Sequence, residues 1–267
     1  STLEGSVLDY WPATERRAEE RMLAPNRPHL TLRPDPDAAD RRPLEVDGDR
    51  VHVYGERRVA VAGRAEAVRE GLAARADSIH LALDRDEIWM FGDPAVVVEG
   101  TTLAGDTIRA ELRERRVERV EAWPRGRARS QDYALRADSI DVRLPGQELR
   151  EVVAVGNAVA EAYTVLAARD ETSPADWVAG DTIVATFEPA ATAPDAAASA
   201  DAAAGDGTAV RDRVELRQLV ASGDARALYH VESRRAGDLL PAINYVRGRR
   251  VLVGFERGEV REGKVEG

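Results

Sequence analysis

The chain has 267 residues, no cysteine and a formal net charge of −10, with 48 acidic and 38 basic side chains. The absence of cysteine excludes a disulfide scaffold, and arginines that alternate with Asp and Glu do not form the basic stripe that nucleic acid binding requires. No apolar run approaches the roughly 20 residues of a transmembrane helix. The composition agrees with a soluble β protein.

Residues 1–45 form a lead-in that precedes a repetitive region. Its first residues have neither a charged nor an apolar targeting pattern, so a targeting segment has been removed or never existed. Residues 12–23 have Pro12 and acidic residues early, which predicts a short N-terminal helix. A proline-rich stretch follows from Pro25 to Pro43. We expect this lead-in to cap the first unit of a domain that spans residues 46–267.

A short motif repeats through residues 46–267 at a period of about thirty residues, the signature of a stacked supersecondary unit. Each copy has Gly or Ala, then Asp, then one further residue and a branched aliphatic. The copies are Gly48-Asp49-Arg50-Val51, Ala76-Asp77-Ser78-Ile79, Gly105-Asp106-Thr107-Ile108, Ala137-Asp138-Ser139-Ile140 and Gly180-Asp181-Thr182-Ile183, with a degenerate sixth at Gly248-Arg249-Arg250-Val251. One interval is long because residues 188–210, rich in Ala, Asp, Gly and Pro, form a flexible surface insertion.

Apolar residues alternate after each motif, which predicts strands with one buried face. The predicted inward residues are Ile79, Leu81, Leu83, Ile108, Leu112, Ile140, Val142, Leu144, Ile183, Phe187, Val251, Val253 and Phe255. Short turns such as Asp84-Arg85-Asp86 follow, so neighbouring strands are antiparallel.

Each motif is also predicted to bend the chain. Apolar residues such as Val46 and Leu135 lie three positions before the motif's Asp, hence five before the next inward residue, and an odd separation cannot keep both on one face of a regular strand. A second mark recurs downstream: Gly63-Arg64-Ala65, Gly92-Asp93-Pro94-Ala95, Gly126-Arg127-Ala128, Gly156-Asn157-Ala158 and Gly223-Asp224-Ala225. We interpret both as kinks between sheets. The predicted fold is all-β: an elongated antiparallel β-jellyroll of about six hairpin repeats, two facing sheets folded along one edge.

No catalytic or metal constellation is present in the sequence. His52 and His80 occupy equivalent positions on outward faces, without a third ligand, and the motif aspartates have a turn role available. There is no nucleophile elbow, P-loop or zinc-protease motif. We therefore predict a non-enzymatic protein without metal or cofactor, and no cleft of clustered acids supports a polysaccharide-processing enzyme.

The Ala-Asp-Ser-Ile and Gly-Asp-Thr-Ile openings, the Val155-Gly156-Asn157-Ala158 ending and the closing Asn244-Tyr245-Val246 resemble the OstA-like proteins of lipopolysaccharide transport. The resemblance covers about residues 45–267. It implies a periplasmic location and an open β-jellyroll that holds the acyl chains of lipopolysaccharide, or of a lipid A-like glycolipid, between its sheets. It also implies edge-strand pairing with other β-jellyroll transport components, and head-to-tail homo-oligomers.

Two interpretations of the interior stay open from the residues themselves. With only 3 Phe, 4 Trp and 6 Tyr, the inward positions are mostly small aliphatics. They could line an open trough that an alkyl chain completes, with the inward residues given above as the lipid-binding face. They could equally form a dry core, in a structural β-solenoid of filament or adhesin type. The strand Arg250–Phe255 has little charge and is either a docking edge or paired within its own domain.

Overall fold

The computed structural model describes residues 2–33, 43–55, 57–69, 72–98, 100–113, 116–131, 133–162, 175–189, 214–231, 242–256 and 259–267. Over these ranges the regular structure is 21 β-strands and one short 3₁₀ turn at Pro145–Gln147. Every strand pairing is antiparallel, and the pairings form one continuous network. The predicted all-β antiparallel class is therefore confirmed.

The strands differ greatly in length, because several of them bend and contribute to two sheets. In chain order they are β1 Thr2–Glu4, β2 Asp9–Trp11, β3 Arg21–Pro25, β4 His29–Leu32, β5 Leu44–Asp47, β6 Arg50–Tyr54, β7 Arg58–Arg69, β8 Leu72–Ala82, β9 Glu87–Phe91, β10 Ala95–Val98, β11 Thr101–Ala104, β12 Thr107–Arg113, β13 Arg116–Trp123, β14 Gly126–Arg129, β15 Tyr133–Ala137, β16 Ser139–Arg143, β17 Glu151–Ala162, β18 Asp176–Pro189, β19 Val214–Val231, β20 Ala242–Glu256 and β21 Glu259–Glu266.

Two sheets follow from the pairing. Sheet I contains, in order, β2, β3, β6, the first half of β7, the second half of β8, β9, β12, β13, β16, the first half of β17, the second half of β18, the first half of β19, the second half of β20 and β21. Sheet II contains β1, β4, β5, the remaining halves of β7 and β8, β10, β11, β14, β15, and the remaining halves of β17 to β20. The bent strands are shared by both sheets.

The bends coincide with the repeated motifs, as predicted. Pairing of β7 with β8 shifts register between Ala62 and Ala65, and β17 with β18 shifts between Val155 and Ala158. At the second shift the Asp138 N–H donates to the Gly156 carbonyl oxygen at 2.8 Å, and Gly156 has a φ of 83°. A Cβ there would lie 2.7 Å from the Asp138 Cβ, so both the backbone conformation and the available space require glycine. These corners line up along one edge, which we call the seam.

The third corner differs from the prediction. Asp106 donates its N–H to the Pro124 carbonyl oxygen at 3.1 Å, and Arg125 has the left-handed φ of 59°. The kink is therefore at Pro124-Arg125, and placing it at Gly126-Arg127-Ala128 was wrong for this copy. Gly126 instead pairs with Ala137, at the position that Ala65, Ala158 and Ala225 fill in three other copies and Pro94 fills in the second. A Cβ at Gly126 would lie 3.0 Å from Ile140, so glycine is needed there for space.

Packing at the seam joins large side chains of sheet I to small ones of sheet II. Ile79, Ile108, Ile140 and Ile183 are fully buried on sheet I. Buried alanines of sheet II belong to the same two core clusters, among them Ala65, Ala76, Ala137, Ala158 and Ala225. Burying each isoleucine stabilises the fold by about 1.5–3 kcal/mol. Small residues on one sheet let the sheets approach closely at this edge.

The N-terminal helix predicted for residues 12–23 is absent, and the prediction was wrong. Thr14 and Arg17 form an isolated β-bridge, and β3 begins at Arg21. Pairing of β3 with β6 sets Ala24 opposite Val51, and Ala24 becomes fully buried. An isolated helix shorter than about 12 residues is marginal, whereas this strand extends an existing sheet and satisfies its backbone groups.

The lead-in and the insertion are described only in part. The lead-in contributes β1 to β4 to the ends of both sheets, whereas residues 34–42 of its proline-rich stretch lie outside the described residues. Glu188 and Pro189 end β18 and pair with β19, and residues 190–210 of the predicted insertion also lie outside the described residues.

Candidate functional site

Burial of the inward side chains falls steadily with distance from the seam. Along β20, Val251 is 2% exposed, whereas Val253 and Phe255 are partly exposed. Along β16, Ile140 is fully buried, whereas Val142 and the following Leu144 are partly exposed. Neighbouring strands of one sheet keep the same spacing along their whole length. We therefore attribute the greater exposure away from the seam to a larger distance from the facing sheet. We infer from this gradient that the sheets diverge from the seam and leave a wedge-shaped cleft, which we call the trough; the ends of the strands away from the seam are its lips.

The predicted lipid-binding residues divide into two groups by exposure. Those nearest the seam are buried: Ile79, Leu81, Ile108, Ile140, Ile183 and Val251. Those towards the lip of sheet I are partly exposed: Leu83, Leu112, Val142, Leu144, Phe187, Val253 and Phe255. Only the second group is accessible to a guest without movement of the sheets, and its binding of a lipid stays a prediction.

Sequence reasoning missed the lip of sheet II. Alternation continues before each corner: Ala76 and Ala74 are buried, and Leu72 follows on the same face with partial exposure. Across the sheet, Val98 pairs with Leu72 and is 42% exposed. Counting back from each corner in steps of two would have identified these positions, because the side-chain period holds on both sides of the bend.

The outer face of sheet I carries an ion-pair lattice unrelated to the trough. The Arg109 guanidinium lies 5.4 Å from the Trp89 ring centroid and donates to the Glu87 carboxylate at 2.6 Å. Hydrogen bonds from the Trp89 indole and from Arg109 lower the pKa of Glu87. Trp89 and Trp123 contact each other edge to face on this surface, with ring centroids 6.0 Å apart. These paired charges stabilise a surface and offer no free acid or base.

Two of the corner aspartates, Asp49 and Asp106, pair with arginines. Arg64 donates to Asp49 at 2.5 Å, and this hydrogen bond lowers the pKa of the Asp49 carboxyl. Arg125 binds Asp106 at 2.6 Å in the equivalent position. Within the described residues no group of three or more His, Cys, Asp or Glu side chains could hold a metal ion. No helix in the same ranges is long and apolar enough to cross a bilayer.

The open strand edges differ from the predicted one. In β20, Arg250–Gly254 pairs with β19 on one side and Arg250–Glu256 pairs with β21 on the other. Of the two alternatives for Arg250–Phe255, pairing within its own domain is therefore the one observed, and the docking edge at this strand was wrong. The first half of β20, Ala242–Gly248, pairs only with β19 among the described residues. Ile243 and Tyr245 on this half-strand are 58% and 56% exposed. We call it the open edge of sheet II.

Solved structures include chains that are similar to this protein. No model of a known protein family matches the chain, and no curated protein matches it in sequence. A similar solved structure is that of LptH, the LptA-homologous periplasmic component of the conserved lipopolysaccharide transport device from Pseudomonas aeruginosa. The match covers 66% of this chain and 93% of LptH, with 15% sequence identity and a TM-score of 0.37. The fold described above rests on this chain's own strand pairing.

Proposed function

We propose that this protein is a lipid carrier, and that the trough holds the acyl chains of a glycolipid of the lipopolysaccharide class. The observation that carries the proposal is the graded burial of inward apolar residues. Side chains at the seam are sealed, whereas Val142, Phe187 and Phe255 towards the lip keep part of their surface exposed. An ordinary domain would cover such residues with its own side chains, because protein interiors are close-packed.

Burial of an acyl chain in the trough would contribute a large favourable free energy to binding. Transfer of an acyl chain of about a dozen methylenes from water gives roughly 10 kcal/mol at about 0.8 kcal/mol each. Ordering of the chain and loss of free rotation offset part of this. The same contacts would cover the exposed parts of the inward side chains, so both the acyl chain and the protein would bury apolar surface on binding.

The motif resemblance to the OstA-like proteins supports transport as the purpose of binding. On this proposal the protein acts in the periplasm without catalysis, and it passes its cargo between rolls arranged head to tail. The open edge of sheet II supplies backbone N–H and C=O groups that can pair with a strand of another roll. Its segment Ala242–Gly248 contains one charged residue, Arg247, and no proline, so it has few of the features that discourage strand addition. Edge β21 carries several charges, which discourages strand addition on sheet I.

Site-specific photo-crosslinking tests the proposal. A photoreactive amino acid at Val142 or Phe187 should capture an acylated glycolipid supplied in detergent micelles, because both positions are partly exposed on the inward face. Thr186 and Val184 are matched controls, because alternation on β18 places both on the outer face of sheet I. Mass spectrometry of the adducts identifies the captured chain.

Equal capture at the inward and outer positions, or none at either in a folded protein, would exclude the trough as a lipid site. Filaments that form without lipid, from a protein that captures none, would instead favour the structural β-solenoid. The open edge is compatible with that second function, whereas the partly exposed inward residues favour the first.

A further inference from the structure

A row of polar side chains crosses one half of the lip of sheet II. Strand register places Tyr133 opposite Ala162, and Ala162 opposite Asp176. Asp176 precedes Trp177, which pairs with Leu228, so it lies beside Tyr229; Tyr229 in turn pairs with Asn244. Four strand spacings of about 4.8 Å set Tyr133 and Asn244 roughly 19 Å apart. We call Tyr133, Asp176, Tyr229 and Asn244 the polar row.

The same level of sheet II is mainly apolar in the other half of the roll. Leu32 pairs with Leu44, and Leu72 pairs with Val98. Arg69, opposite Leu72, is the charged residue at this level. On the facing lip of sheet I, apolar and charged residues alternate from strand to strand. Leu83, Leu112, Leu144, Phe187 and Phe255 lie at the corresponding level, and backbone hydrogen bonds set Arg57 opposite Leu83, Asp86 opposite Leu112, Glu118 opposite Leu144 and Arg150 opposite Phe187. The half of the sheet II lip that contains the polar row therefore differs chemically from the other half of the same lip.

Three members of the polar row are available to a guest. Tyr133 is 40% exposed, whereas the Tyr229 ring packs against the core cluster. Within the described residues, no hydrogen bond engages either tyrosine hydroxyl or the Asn244 amide. Alternation from the buried Leu135 and Ala227 places both tyrosines on the inward face.

Asp176 is already engaged. Its carboxylate accepts the His230 backbone N–H at 3.2 Å and lies 2.5 Å from the His230 Nδ1. The carboxylate nevertheless keeps part of its surface exposed, with 32% of the side chain accessible. A negative group in the row disfavours a phosphate at the same level and favours uncharged polar groups.

We propose that Tyr133, Tyr229 and Asn244 hydrogen-bond the uncharged polar groups next to the acyl chains of the cargo: the hydroxyls and the amide or ester carbonyls of an acylated sugar. The inference rests on the proposed function, because the acyl chains must occupy the trough for these groups to reach the row. The polar row then selects an acylated sugar over a plain alkyl chain. It also orients the cargo, with the sugar at the half of the mouth formed by β15 to β20.

Paired binding measurements test the row. The variant Tyr133→Phe/Tyr229→Phe removes two hydroxyl oxygens and leaves both rings in place. Titrations with two probes, an N-acylated glucosamine and the apolar dye N-phenylnaphthylamine, are compared for wild type and variant. We expect roughly 10-fold weaker binding of the acylated sugar, as two neutral hydrogen bonds imply, and unchanged binding of the dye. Tyr245→Phe on the outer face is the control and should change neither.

The possible results distinguish failure of the polar row from failure of the proposed lipid-carrier function. Unchanged affinity of the variant for the acylated sugar, with dye binding intact, overturns the polar row and leaves the trough in place. An equal loss for both probes also overturns it, because the tyrosines would then act through packing. If wild-type protein binds neither probe, the trough itself fails and the polar row with it.

Discussion

Truncation of two valines on one strand tests whether the mouth of the trough is open. Val251 and Val253 both face inward on β20 and belong to or pack against the same core cluster, but Val251 is 2% exposed and Val253 is partly exposed. Val→Ala removes the equivalent of two methylenes, about 1.6 kcal/mol at roughly 0.8 kcal/mol each, and a residual cavity adds about 0.5–1 kcal/mol at a rigid site. We expect Val251→Ala to cost about 2–2.5 kcal/mol, and Val253→Ala about 0.5–1 kcal/mol.

Urea unfolding followed by circular dichroism measures both costs, provided that the slope of the transition is unchanged. A bound lipid should affect the stability of the two variants differently. Saturating glycolipid should stabilise wild type and Val251→Ala by the same amount, and Val253→Ala by less, because only Val253 contacts the guest. Equal costs for both variants without lipid would mean that Val253 is packed in a closed, dry core, and the reasoning from graded burial would be refuted.

Three further predictions follow from the corners and the open edge. Gly156→Ala should cost about 1–2 kcal/mol more than Gly146→Ala in the same unfolding assay; both have positive φ, but only Gly156 meets a neighbouring side chain, so equal costs would contradict the steric argument. The Asp49 carboxyl has a folded pKa below its ordinary value near 3.8, so its contribution to stability is present above that pH and lost as pH falls through the folded pKa. Arg64→Ala should flatten the loss of stability below about pH 4, and an unchanged pH profile would exclude this pair as a contributor. Tyr245→Lys should weaken any concentration-dependent self-association measured by sedimentation, whereas persistent assembly would place the contact away from the open edge.

Local rules of the chain were sufficient to predict the repeating unit. Alternation after each motif sets the inward face of a strand, and the odd separation across the motif requires a bend, so Ile140 and Leu135 were placed correctly on the inner faces of two sheets. Glycine at a left-handed corner, as at Gly156, follows from its missing Cβ and needs no knowledge of the rest of the fold. These features depend on neighbours within a few residues.

Competition between distant segments decided what the sequence could not. The segment around Met22 had a plausible helical pattern, yet it is a strand because β6 offered an unsatisfied edge. The strand Arg250–Phe255 was a candidate docking edge, yet β21 folds back and covers it, leaving Ala242–Gly248 open. Neither outcome can be deduced from the segment itself, because pairing depends on which partner is nearby in space.

The sequence by itself determined that this protein is an antiparallel roll with an apolar inner face, because side-chain alternation and corner chemistry are local. It did not determine which inner residues a guest can reach. Val251 and Val253 are the same residue type at the same alternation, and only their distance from the seam makes one a core residue and leaves the other partly exposed. The seam itself is formed by packing that joins residues far apart in the chain.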